Sequence, residues 1–138
     1  MEGRIVHLGA ELLDSDIQRA GVVFYSITNF NVWLGIIADL LSLNKRLSLA
    51  KKEWNGMSNR LRELNDTRVR LAHHTIWHAD RGSQEVYLRP AREDHRSKSR
   101  GYSNLTALEI IAFTKATNQM VPKLLDLQQR CHSARMAL

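Results

Sequence analysis

Apolar residues recur at helical spacing along most of this chain, and that period constrains the fold more than any other feature. Ile17, Ala20, Phe24, Ile27, Leu34, Ile37 and Leu41 follow one another at intervals of three, four or seven, which puts them on one face of a helix. The pattern predicts a first helical region from about Ile5 to Leu43, with Asn44 as its stop. Ser15 and Gln18 have the spacing of a capping box, so a break near Asp14 and a restart at Asp16 are expected inside that region. A second stripe follows Ser48, a residue type that caps helix N-termini. It consists of Leu49, Met57, Leu61, Leu64, Val69 or Leu71, and Ala72, with Lys51, Lys52, Arg60, Arg62 and Glu63 largely outside it. This second helix should end near His74 or Thr75. Two long helices joined by a short loop read as an antiparallel hairpin.

The period then changes. Thr75–His78 and Glu85–Leu88 are β-prone, Asp80–Ser83 between them is turn-prone, and Pro90 should close the excursion. Arg92–Tyr102 is a polar loop. A last helix begins at Thr106, whose spacing to Glu109 makes a capping box, with Leu105 and Ile110 placed to staple it. Its buried face is Ile110, Phe113, Thr117, Met120, Leu124 and Leu127. Pro122 should kink or break it, and Arg130–Leu138 should fray. The fold class expected is all-α: an antiparallel helical bundle with a small β-hairpin or loop insertion before the last helix, in a single domain over residues 1–138.

Composition narrows the class. A chain of 138 residues with 43% hydrophobic and 25% charged residues can bury an ordinary globular core. Seven glycines and two prolines leave no room for a low-complexity linker. The single cysteine, Cys131, forms no intramolecular disulfide, which fits a reducing compartment, and it has no catalytic partner in sequence. Met1–Arg4 opens no signal peptide. Ala20–Ala38 is uncharged and nearly long enough to span a bilayer. It contains Ser26, Thr28, Asn29 and Asn31, and amides are costly in hydrocarbon, so a buried helix is expected, with no membrane partner and a cytoplasmic location. Asn29 and Asn31 are then buried amides in need of hydrogen-bond partners.

The net charge of +6 favours an anionic partner, most commonly nucleic acid. The segment Arg81–Arg100 holds Arg81, Arg89, Arg92, Arg96, Lys98 and Arg100 against Glu85, Glu93 and Asp94. Trp77, Tyr87 and Tyr102 flank or interleave it. Arg96, Lys98 and Arg100 are candidate RNA-binding residues, because phosphate contacts beside stacking rings suit single strands. A solvated loop whose aromatics pack on the bundle explains the same composition. His74 and His78 have the i, i+4 spacing of a zinc pair, but no Cys or Glu cluster completes a site, and neither metal nor cofactor is expected.

The stretch Asn65-Asp66-Thr67-Arg68-Val69-Arg70-Leu71-Ala72-His73-His74 carries the candidate chemistry. Arg68-Val69-Arg70-Leu71-Ala72-His73 resembles the signature of HEPN domains, in which an Arg precedes a His by four to six residues. Arg68 matches that Arg; His73 matches the His, and His74 would match with one residue more. Leu71-Ala72 before the His is also frequent in the family. Val69 departs from it, standing where a polar residue is usual. The layout is similar too: a first helical region with aromatics Phe24, Tyr25 and Phe30, a second helix ending in the motif, an excursion, and a closing helix.

The resemblance implies a metal-independent endoribonuclease of a toxin or defence type. Arg68 would hold the scissile phosphate and His73 would act as general base or acid. The 2′-hydroxyl nucleophile would confine the reaction to RNA. It further implies a homodimer and a small antitoxin-like protein partner. The alternative is a non-catalytic module of the same kind that binds nucleic acid or protein, and a further alternative is an assembly protein. Helix geometry bears on the site, because positions five apart lie about 140° apart on a regular helix. Arg68 and His73 therefore converge only if the helix unwinds, or if a second subunit supplies the partner. Asp66, Arg70 and His74, spaced by four, would share a face. They form an alternative binding site, or a helix-stabilising ion pair.

Overall fold

The computed structural model describes residues 1–72, 74–78, 86–90 and 105–137. Helices α1 (Glu2–Leu12), α2 (Ile17–Tyr25) and α3 (Phe30–Leu43) occupy the first helical region. A 3-10 turn over Lys45–Leu47 leads into α4 (Ser48–Ala72). Strands β1 (His74–His78), β2 (Val86–Pro90) and β3 (Leu105–Thr106) precede α5 (Ala107–Met136). The fold is the expected helical bundle, with a small antiparallel excursion before the last helix.

The first region is interrupted twice. At the expected break, Asp14 adopts φ 51°, a left-handed conformation that aspartate tolerates better than most residues. The cap of α2 is Asp16 rather than Ser15: its carboxylate accepts the Arg19 N–H at 2.8 Å and pairs with the Arg19 side chain at 3.2 Å. The second break, between Tyr25 and Phe30, corrects the expectation of a continuous helix. Asn29 is the N-cap of α3 and accepts the Asn31 N–H at 2.9 Å. Both asparagines are exposed; they are not buried amides. The amide answers an orphan backbone donor at the helix start, which a polar side chain does as readily as it interrupts a helix.

The chain forms two compact units. The first comprises Met1–Arg62 with Thr117–Leu138, so five helices contribute to it. Ile5 and Leu8 of α1, Phe24 of α2, Leu34, Ile37 and Leu41 of α3, Trp54 and Leu61 of α4, and Leu124 and Leu127 of α5 are almost wholly buried. Trp33 gathers the aromatics: its ring lies 5.5 Å from Phe24 and 5.5 Å from Tyr25, both edge-on. Its indole N–H donates to the Ile27 carbonyl at 2.8 Å. Trp54, fully buried, donates to the Leu34 carbonyl at 3.2 Å and ties α4 to α3. α1 passes closely over Phe24, because a Cβ at Gly9 would stand 2.6 Å from Phe24 Cζ.

α5 runs through Pro122 without a break. The proline is exposed, so the carbonyl one turn back loses its helical donor on a side open to water. Met120, Leu124, Leu127 and Cys131 anchor the helix on the other side at spacings of four, three and four. The expected fraying from Arg130 does not occur either. Arg130 pairs with Glu53 and with Asp126, Cys131 is buried, and His132 and Arg135 are tied to α1.

The second unit, Glu63–Ala116, holds the end of α4, the strands and the start of α5. β1 and β2 pair antiparallel with Ile76 opposite Leu88, and β3 adds beside β2 with Leu88 opposite Leu105. β2 ends at Pro90, which lacks the N–H that a further ladder bond needs. The turn-prone Asp80–Ser83 lies outside the described residues. The capping box forms as its spacing predicts. Thr106 N–H and hydroxyl donate to the Glu109 carboxylate at 2.7 and 3.0 Å, and the Glu109 N–H donates to the Thr106 hydroxyl at 3.2 Å.

Candidate functional site

α4 keeps helical geometry up to Ala72, and His74 already belongs to β1. The helix thus ends slightly before the expected His74 or Thr75, inside the candidate motif. Over the last two turns Asp66 and Arg68 are exposed, while Val69, Arg70 and Leu71 are half-buried. Arg68 is therefore on the surface, as a residue that binds phosphate must be. His73, Arg96, Lys98 and Arg100 lie outside the described residues.

The alternative face of Asp66, Arg70 and His74 is not assembled as expected. Asp66 and Arg70 do occupy positions four apart on a regular helix. His74, however, is on a strand, so helical spacing no longer relates it to them. Among the described residues no ion pair joins Asp66 to Arg70. The Arg70 charge acts on Glu109 instead. The Glu109 carboxyl is held below its ordinary value of 4.5 chiefly by the Thr106 backbone N–H, next by the Thr106 hydroxyl, and further by Arg70. Asn65, at the start of the motif stretch, has a buried side-chain oxygen with no hydrogen-bond partner. A buried acceptor left this way is costly. His74 and His78 both lie on β1, where positions four apart are about 13 Å apart along the strand. That is much farther than the helical spacing behind the zinc-pair comparison.

A second polar cluster, in the first unit, escaped the sequence reading. Glu11 of α1 meets His132 Nδ1 at 3.0 Å and Arg135 at 3.3 Å, and Arg135 also meets Asp14 at 2.9 Å. Arg135 additionally approaches the Glu11 carbonyl at 3.4 Å, at the negative end of the α1 dipole. Beside this cluster runs an open groove of about 540 Å³ lined by Glu11, Leu125, Gln128, Gln129, His132 and Ser133. The arrangement clamps α1 to the end of α5: every charged group in it is matched by an opposite one. The signal in sequence was the i, i+3 spacing of His132 with Arg135, which puts both on one face of α5. It was hidden by the expectation that the C-terminus frays.

Cys131 is buried, and burial pushes its thiol up to about 11. The thiolate, the reactive form, is thus scarce at neutral pH. Comparison with known proteins gives no match to a protein family, to a curated protein or to a solved structure. No helix among the described residues is long and apolar enough to cross a membrane.

Proposed function

We propose that this chain is an RNA-directed helical domain of the HEPN type, acting as a metal-independent endoribonuclease in a toxin or defence role. The observation that carries the reading is the exposed Arg68 near the end of α4, with His74 already on β1. Arg68 binds the phosphate and offsets the charge that develops on it. His73 takes the proton from the RNA 2′-hydroxyl as that oxygen attacks phosphorus, or gives a proton to the departing 5′-oxygen. The change from α4 to β1 by His74 supports this assignment, because an Arg and a His five apart on an unbroken helix would diverge. His74 is the neighbouring candidate for the same role. A cytoplasmic homodimer bound by a small antitoxin-like protein belongs to this reading. Val22 and Tyr25, 70% and 61% exposed on α2, offer apolar surface for pairing.

The test is RNA cleavage by the purified chain with EDTA present. Loss of cleavage in both Arg68→Ala and His73→Ala supports the assignment, and cleavage that survives both changes overturns it. Val69 favours a second reading. It stands half-buried where the family usually has a polar residue, and it can neither donate nor accept a hydrogen bond. In that reading the domain binds nucleic acid or a protein without turnover. Salt-sensitive RNA binding, weakened by neutralising Arg96, Lys98 and Arg100 and accompanied by no cleavage, distinguishes it.

A further inference from the structure

The corner between α3 and α4 exposes two leucines among cations. Leu43 is 82% exposed and Leu49 79% exposed, although Leu49 was expected in the buried stripe of α4. The stripe that is buried runs instead through Leu47, Ala50, Trp54, Met57 and Leu61. Leu49 falls outside that stripe, about 100° round the helix from Ala50. Lys52 follows it by three residues on α4, so those two side chains share one face, and Lys45, in the 3-10 turn just before α4, is exposed as well. Arg46 and Lys51, also exposed, flank that face. Between Asp39 and Glu53 the chain carries four cations and no acid. Glu53 is engaged by Arg130, and none of the four cations meets a carboxylate among the described residues.

The corner is held in shape. Asn44 caps the 3-10 turn by accepting the Arg46 N–H at 3.0 Å, the Leu47 N–H donates to the Asn44 carbonyl at 2.9 Å, and Leu47 is buried. Leu43 and Leu49 thus stand on either side of one rigid turn.

We infer that this corner docks on an anionic lipid surface, with Leu43 and Leu49 entering the headgroup layer and Lys45, Arg46, Lys51 and Lys52 contacting lipid phosphates. Two features choose lipid over a nucleic acid as the occupant. Aliphatic leucines gain little against ribose and phosphate, whereas nucleic-acid surfaces pair their cations with aromatic stacking platforms. Apolar tips ringed by lysine and arginine match an interface that is apolar beneath and anionic above. This peripheral contact departs from the expectation of no membrane partner, and it is independent of the RNA assignment.

The test is co-sedimentation of the full chain with vesicles of phosphatidylcholine alone and of phosphatidylcholine mixed with phosphatidylglycerol. Binding is expected only to the anionic vesicles and falls as salt rises. Each cation near such a surface strengthens partitioning about fivefold, so Lys45→Glu with Lys52→Glu weakens it roughly 25-fold or more. Leu43→Ser with Leu49→Ser weakens it about tenfold by removing the apolar part. All four positions are exposed, so the variants keep the fold, which circular dichroism verifies. No binding to anionic vesicles overturns the inference. So does binding that is indifferent to the leucine changes, or single-stranded RNA binding that is lost with the same two lysines while the leucine variant behaves as wild type.

Discussion

Gly9→Ala asks whether α1 sits as close to Phe24 as the packing requires. An alanine Cβ at this position would stand 2.6 Å from Phe24 Cζ, far inside van der Waals contact. Phe24 is fully buried and its ring lies edge-on to Trp33 at 5.5 Å, so it cannot swing aside without disturbing the aromatic cluster. Overpacking of this kind costs about 1–3 kcal/mol. Against it, alanine is favoured over glycine in a helix interior by about 1 kcal/mol. The two effects have opposite signs, and the structure predicts that the steric one wins, leaving a net loss of up to about 2 kcal/mol. Urea unfolding followed by circular dichroism measures it. Gly9→Ala combined with Phe24→Leu should cost less than the sum of the two single changes, because the smaller side chain gives the new methyl room. A Gly9→Ala variant more stable than wild type would refute the reasoning, since helix propensity would then act alone.

Trp54→Phe should lower stability by about 1–3 kcal/mol, read by urea unfolding, because it removes the buried indole hydrogen bond to the Leu34 carbonyl and leaves a gap where the larger ring was. Thr106→Ala should cost about 1 kcal/mol by removing the hydroxyl of the capping box. The Glu109 carboxyl lies below its ordinary 4.5, so its contribution is complete above that pH and is lost as the pH falls through the lower folded value. In Glu109→Gln that part of the acid-induced loss should be missing from a stability-versus-pH series. Cys131 should resist iodoacetamide at neutral pH in the folded chain and react on addition of denaturant. Its raised thiol also contributes stability that is complete below about 9 and declines as pH rises towards about 11.

The helices were legible because their cores repeat at a helical period and their caps are chemical. Thr106 with Glu109, and the restart at Asp16, could be read directly from residue type and spacing. The break before Phe30 could not, because Asn29 in an apolar run reads equally as a buried amide or as a cap, and only the fold decides. Leu49 was misplaced because a leucine at the edge of a stripe has the same identity as one within it. The stripe's axis is set by Trp54, a fully buried aromatic among the aliphatics. Pro122 does not break α5, because the carbonyl it abandons lies on a side open to water. The Glu11–His132–Arg135 clamp joins residues more than a hundred positions apart, and no local pattern announces such a pairing. For the candidate site, sequence placed Arg68 near a helix end. The exposure of Arg68 and the passage from helix to strand across the motif came from the structure.

The most direct measurement is the identity of the ends left on RNA after incubation with the purified chain in EDTA, read by mass spectrometry. Attack by the 2′-hydroxyl predicts a 2′,3′-cyclic phosphate on one fragment and a 5′-hydroxyl on the other, with both products missing for His73→Ala. Fragments ending in 3′-hydroxyl and 5′-phosphate would mean that water was the nucleophile, and intact RNA in the presence of folded protein would mean no cleavage. Either result contradicts the account.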